Sequence, residues 1–248
     1  MKTGKKPLKV LAFDVFGTVV DWHGTISREF ESLDFGTSSG KKIPPPVSGS
    51  EFVLAWRDGY RPAMHRVRTG ELGWTKIDDL HRMILEQILA DFKISTLTEL
   101  QKQHLNKVWH RLDPWPDVVE GLSRLKQSFT IATLSNGNLG LLANMAKRAG
   151  LPWDLILSAE VFRHYKPDRE AYLGVCEVFD IEPEQMMLVA AHKDDLNAAL
   201  ACGCKTAFIE RPAEFGPRGR ADLAVEAHFT FHAKTFLDLA DQLAVTAR

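Results

Sequence analysis

The chain has 248 residues, 45% hydrophobic and 25% charged, which places it outside the disordered range and supplies enough apolar material for a core of ordinary size. Its 31 basic and 32 acidic side chains leave a formal charge of -1, so no global field draws it to nucleic acid or to an anionic membrane, and any anion must be bound locally. Lys2, Lys5, Lys6 and Lys9 precede only a short apolar run that ends in Asp14 without a small-residue cleavage site, and no stretch approaches the ~20 apolar residues of a membrane helix, so a cytoplasmic protein is expected.

The run Val10 to Phe13 reads as a buried strand that delivers Asp14, followed by a Gly17-Thr18 turn, to the strand's C-terminal edge. After a short helical pattern beginning near Asp21, the tract Gly36 to Ser50, with Pro44, Pro45 and Pro46, predicts a mobile or extended loop. Phe52, Val53, Trp56, Tyr60, Met64 and Val67 then recur at helical spacing, with Ser50 as N-cap and a kink at Pro62. This apolar stripe predicts packing rather than direct substrate contact for Trp56, Tyr60 and Met64. Thr75 with Asp78 reads as the cap of a second helix carrying Ile77, Leu80, Ile84, Ile88 and Leu89, and a third runs from about Thr98 to Leu112. His23, His65, His81, His104 and His110 lack ligand spacing and read as surface or packing residues.

From Asp113 onward the pattern changes. Short apolar runs at Phe129 to Leu134, Leu155 to Leu157, Met186 to Ala190 and Thr206 to Ile209 alternate with helices, which predicts βα units and a parallel sheet. The fold class is therefore α/β, a Rossmann-like parallel sheet core with helices on both faces and an inserted all-helical cap. The expected core is residues 1–20 and 114–248, and the expected cap is residues 21–113. The cap would lie over the carboxyl edge of the sheet, where open α/β folds bind their ligands. Cys176, Cys202 and Cys204 are an odd number without the spacing or partner ligands of a zinc site, and read as buried reduced thiols.

Three more segments bring chemistry to that edge: Ser135-Asn136-Gly137 after one strand, Tyr165-Lys166-Pro167-Asp168 before a helix, and Ala190-Ala191-His192-Lys193-Asp194-Asp195 after another strand. Each alone is a plain turn or helix start. Asp194 is left out of the catalytic set as a helix-start acid.

Taken in order with Asp14, these segments resemble the four motifs of the haloacid dehalogenase superfamily over almost the whole chain. Phosphatases of that superfamily carry a second Asp where this chain has Phe16, and a fourth-motif acid where it has Ala191. A hard divalent cation would be left with too few oxygen ligands, so no metal and no cofactor are expected. The pattern is similar instead to the metal-independent type II haloacid dehalogenases, and closest to a subgroup with an Ala-Ala-His fourth motif that includes members associated with fluoroacetate.

The resemblance implies that Asp14 is the nucleophile, that Thr18 is the motif-one threonine, and that Ser135 and Asn136 help bind the substrate carboxylate. It implies further that Lys166 stands beside the nucleophile, that Tyr172 is the tyrosine six residues on, and that Asp195 supports water activation. Arg57, on the first long cap helix, would meet substrate or halide; in isolation it reads as a solvated helix charge. His192 would hold or deprotonate the hydrolytic water, since imidazole titrates near neutrality.

The implied reaction is hydrolysis of a short 2-haloacid to a 2-hydroxy acid through an ester on Asp14, with inversion at carbon. The expected partner is thus a small anionic haloacid, with no nucleic acid and no membrane, and family analogy suggests a homodimer. Two alternatives stay open: a magnesium-dependent phosphatase with an altered metal site, and a weakly catalytic protein whose helical block and Trp115 region mediate association.

Overall fold

The computed structural model describes residues 6–35, 43–217, 219 and 221–246. The Lys-rich opening through Lys5 and residues 36–42 of the expected Gly/Ser/Pro loop lie outside them.

A six-stranded, all-parallel sheet forms the centre. Its strands are β1 (Val10–Phe13), β4 (Thr130–Ser135), β5 (Leu155–Ser158), β6 (Met186–Ala190), β7 (Lys205–Ile209) and β8 (Phe231–Ala233), in the order β5-β4-β1-β6-β7-β8. A short antiparallel pair, β2 (Val20–Asp21) with β3 (Asp113–Pro114), lies outside that sheet. Alternate residues of the central strands sort to opposite faces. Leu11, Phe13, Ile131 and Val189 share a core with α6 (Val118–Lys126) and α11 (Phe236–Thr246), while Val10, Ala12, Leu134 and Leu188 share another with α9 (Arg169–Val178) and α10 (Lys193–Ala201). Helices on both faces explain why the strands read as unbroken apolar runs.

The order also fixes where a site can form. From β1 the chain winds one way to β4 and β5 and the other way to β6, β7 and β8, so the carboxyl end of β1 borders a topological switch point. Asp14 follows immediately, its amide still donating to Val189 O across the sheet at 3.0 Å.

Between β2 and β3 the described residues form only helices and loops: α1 (Trp22–Ser32), α2 (Gly49–Asp58), α3 (Tyr60–Arg68), α4 (Ile77–Asp91), α5 (Glu99–Asn106) and a 3-10 segment, Lys107–Arg111. The two-residue pair β2·β3 clasps the entry and exit of this block. Two residues per strand carry too little pattern to be visible in the sequence. Helices α7 (Leu139–Ala149) and α8 (Ala159–Phe162) complete the α/β part.

Several local expectations shift. Ser48, not Ser50, caps α2, because Ser48 and Glu51 satisfy each other in a reciprocal capping box, while Ser50 is hydrogen-bonded to His23. The helix expected to kink at Pro62 divides three residues earlier, at Gly59, where any Cβ would stand 2.5 Å from Ile84. Pro62 then falls in the first turn of α3, where its missing N–H costs nothing. Thr75 and Asp78 do not cap α4. The Thr75 hydroxyl donates to Gly73 O, and Asp78 pairs with Lys107 and His110. Thr98 does cap α5, but regular helix stops at Asn106. Trp115 is half-buried rather than offered for association, its indole N–H donating to Gly17 O and its ring lying under Arg211. Cys176 and Cys204 are buried and Cys202 half-buried, all free thiols.

Candidate active site

Asp14 is 7% exposed and is held from both sides. On one side Lys166 Nζ donates to Asp14 Oδ1 at 2.9 Å and also to Asp195 Oδ2, while the Tyr172 hydroxyl donates to Asp195 Oδ1 at 2.6 Å. Burial alone would raise the Asp14 carboxyl, but Lys166, His192 and Thr18 together hold it far below the usual carboxylate range, so it is an anion. Burial likewise pulls the Lys166 ammonium down, and Asp14 with Asp195 more than restores it. Asp195 is shifted up, by burial and by the nearby Asp14 charge, against the pull of Lys166. Tyr172 is pushed up by burial and by Asp195, so its phenol stays a donor.

The other side is built differently. Thr18 Oγ1 donates to Asp14 Oδ2 at 2.6 Å and accepts from Ala191 N at 2.9 Å, which ties the turn after β1 to the turn after β6. His192 Nδ1 lies 3.1 Å from Asp14 Oδ2, and its Nε2 lies 2.8 Å from Glu214 Oε1. Burial opposes the charge on this ring, but carboxylates at both nitrogens push it up to about 10, so the resting state is an imidazolium. The expectation that His192 deprotonates water is thereby narrowed: in the resting enzyme it has no free lone pair and can only donate.

Glu214 was absent from the sequence-derived site. It sits in the turn beyond β7, 2% exposed, and also accepts from the Trp22 indole at 3.1 Å. Its loop is fastened by Arg211, which donates to Thr18 O and pairs with Asp117. Gly17 makes room for it: φ is +85°, and a Cβ there would stand 2.2 Å from Glu214 Oε1. The only signal in the sequence was position, a polar loop leaving a strand at the same edge as Asp14.

Asp14 opens into a cavity of about 360 Å³ between the sheet edge and the helical block, lined also by Phe16, Arg57, Asn136, Lys166, His192 and Asp195. Thr18 and Tyr172 stand behind that lining and act through Asp14 and Asp195. Ser135 is fully buried, accepts from Gly137 N at 3.1 Å, and shapes the turn instead of facing the cavity. Asn136 faces the cavity, yet its amide is also engaged with Lys166, accepting from its N–H at 2.7 Å and donating to its carbonyl at 3.3 Å.

Trp56, Tyr60 and Met64 are all buried in the core, as the packing assignment has it, and Tyr60 and Met64 line the cavity as well. A helical stripe that reads as core in sequence can face a cavity roof as well. His65 is likewise at the rim, whereas His81 is fully buried against Trp109. Asp194 lines the rim and pairs with Arg61 of the helical block.

Arg57 extends from the roof. Its guanidinium lies 4.6 Å from the Tyr60 ring centroid and 5.7 Å from that of Trp22, its Nε is buried without a hydrogen-bond partner, and among the described residues no carboxylate pairs with it. Lys166, His192, Arg61 and Arg68 each pair with a carboxylate, whereas among the described residues Arg57 pairs with none.

The donor set does not fit magnesium. Phe16 turns its ring edge-on to Trp109, and Ala191 donates its backbone N–H to Thr18, so neither position supplies a carboxylate ligand. Among the described residues no group of three or more His, Cys, Asp and Glu is arranged to hold a metal ion.

Comparison with known proteins shows the family. The chain is 27% identical over 216 residues to (S)-2-haloacid dehalogenase 1 of Pseudomonas sp. (strain CBS-3), covering 83% of this chain and 86% of that one. The crystal structure of the L-2-haloacid dehalogenase PA0810 superposes with a TM-score of 0.87 at 44% identity, covering 96% of this chain and 100% of the other. That of the defluorinating L-2-haloacid dehalogenase Rha0230 gives 0.87 at 38% identity, covering 96% and 95%. Residues 8–203 match the family model of the haloacid dehalogenase-like hydrolases, and the chain belongs to that family of enzymes.

Proposed function

We propose that this enzyme hydrolyses short-chain 2-haloacids to 2-hydroxy acids without a metal, through an ester on Asp14, with the helical block as a cap over the site. The observation that carries the reading is the pairing of an ionised, Lys166-held Asp14 with an Arg57 guanidinium that has no carboxylate of its own. A carboxylate nucleophile repels an anionic substrate, so a spare cation on the far side of the cavity is what the reaction needs. The names of the three relatives compared above, each a 2-haloacid dehalogenase, support the same substrate class, and the 38% identical one, named as defluorinating, extends the reading to fluorinated acids.

In this reading Asp14 attacks the halogen-bearing carbon opposite the leaving group, the C–halogen bond breaks, and halide departs toward Arg57. Esterification removes one negative charge from the site and so favours retention of the product's carboxylate. It also removes one of the two carboxylates that hold a proton on His192. The imidazolium then becomes acidic enough to release that proton, while Glu214 keeps the ring oriented through Nε2. Neutral His192 presents the Nδ1 lone pair to a water next to the ester carbonyl. Water adds to Asp14 Cγ, gives a proton to Nδ1, and the 2-hydroxy acid leaves with an oxygen that belonged to Asp14.

The test is halide release from fluoroacetate, chloroacetate and the two enantiomers of 2-chloropropionate, with EDTA present throughout. Turnover of the L enantiomer in preference to the D is the expected result. Silence across the panel from folded protein, with magnesium-dependent hydrolysis of small phosphate esters, would overturn the reading.

A further inference from the structure

His192 borders two cavities. Besides the one above Asp14, a second hollow of about 190 Å³ lies on the far side of the imidazole, lined by Glu214, Phe215, Ala221 and Leu223, and shares His192 and Asp194 with the first. The volume is well above the roughly 15 Å³ one water requires. Lys193 reaches across to Asp222 at 2.8 Å and Glu226 at 3.0 Å, fixing the outer wall.

The two cavities meet different needs. Once the ester forms, the substrate's carboxyalkyl group stands in the first between Asp14 and Arg57, and the rim is spanned by two ion pairs from the helical block to the sheet domain, Arg61 to Asp194 and Arg68 to Asp168. Water approaching from that side meets the bound fragment first. The second hollow reaches the His192 ring and Glu214 without passing the substrate.

We infer that the second hollow is the water chamber of the enzyme, supplying the hydrolytic water past His192 and carrying away the proton that each turnover produces. This rests on the aspartyl-ester reading. The balance is one water in and one proton out. While the ester stands the Nδ1 proton of His192 passes through water beside the ring to water in the hollow, Nε2 keeping its proton toward Glu214, and the water that adds to Asp14 Cγ supplies the proton of the new hydroxyl and the proton that restores the imidazolium. Cleavage of the bond from Cγ to the substrate-bearing oxygen returns the Asp14 carboxylate. Halide and haloacid use the first cavity only.

Filling the hollow tests this without touching a group in contact with Asp14. Ala221 lies in an irregular loop, so the series Ala221→Val, Ala221→Leu and Ala221→Trp, with Leu223→Trp as an independent plug, narrows the space in steps. Mixed with chloroacetate and quenched in the millisecond to second range, each variant is read by released chloride and by the mass of the Asp14 peptide. The expected result is a chloride burst of one equivalent at the unaltered rate, followed by ester loss slowed at least tenfold in Ala221→Trp and graded across the series. Ester decay at the unaltered rate in both tryptophan variants, with crystal structures showing the hollow filled, would overturn the inference. A failure of the parent enzyme to give any burst or ester would instead overturn the aspartyl-ester reading.

Discussion

Asp14 has two unlike flanks. On the Lys166 side the ammonium is buried between two carboxylates and Tyr172 holds the second of them, so that Lys166 keeps Asp195 as a partner if the Asp14 charge is consumed. On the His192 side the ring is 21% exposed and owes its proton to Asp14 and Glu214 together, so consuming the Asp14 charge alters it. The first flank makes a permanent nucleophile. The second, in the proposed reaction, becomes a proton acceptor only after the nucleophile has reacted.

This contrast can be broken by mutation, most severely at its centre. Asp14→Asn should abolish halide release with the fold intact by circular dichroism, since no other carboxylate faces the cavity with the same support. Next, Lys166→Met should suppress the halide burst itself, because Asp14 would lose its main counter-charge; a normal burst in this variant would remove the distinction between the flanks. Glu214→Gln and His192→Gln should keep the burst but slow ester hydrolysis by roughly 10²- to 10⁴-fold, the usual range for a lost general base. Mass spectrometry would then find ester accumulated on Asp14. Tyr172→Phe should cost less, about 1–3 kcal/mol of stability from leaving Asp195 Oδ1 short of a donor, read by chemical denaturation.

The smallest effect concerns pH. His192 rises from an ordinary 6.5 to about 10 on folding, so its contribution to stability is fully present below about 6.5 and is lost as pH climbs through about 10. The melting-temperature gap between the parent enzyme and His192→Gln should narrow across that window. A gap constant from pH 6 to 10.5 would mean that the ring is neutral in the resting enzyme.

Much of this was legible in the sequence because the informative residues end strands. Asp14, Asn136 and His192 each follow a short apolar run, and parallel pairing brings the ends of such runs to one edge. The parallel sheet with helices on both faces follows from the same alternation, whereas the strand order does not. Glu214 was not legible, since its place depends on a loop anchored through Arg211 and on a missing Cβ at Gly17, neither of which has a spacing signature. Tyr60 and Met64 pack in the core as their stripe implies, but that they also line the cavity was not legible, because an apolar stripe looks the same over a cavity as over a core. The bond from Gly137 N to the Ser135 hydroxyl within the turn was not legible, and β8 escaped notice as a three-residue edge strand.

The central claim, that Asp14 attacks carbon and then yields its own oxygen, is tested most directly by a single turnover of excess enzyme with L-2-chloropropionate in H₂¹⁸O. The account predicts unlabelled lactate from the first turnover and ¹⁸O in the Asp14 peptide afterwards. Lactate labelled in its hydroxyl in that first turnover, with an unlabelled Asp14, would mean that water attacks the substrate directly and would contradict it.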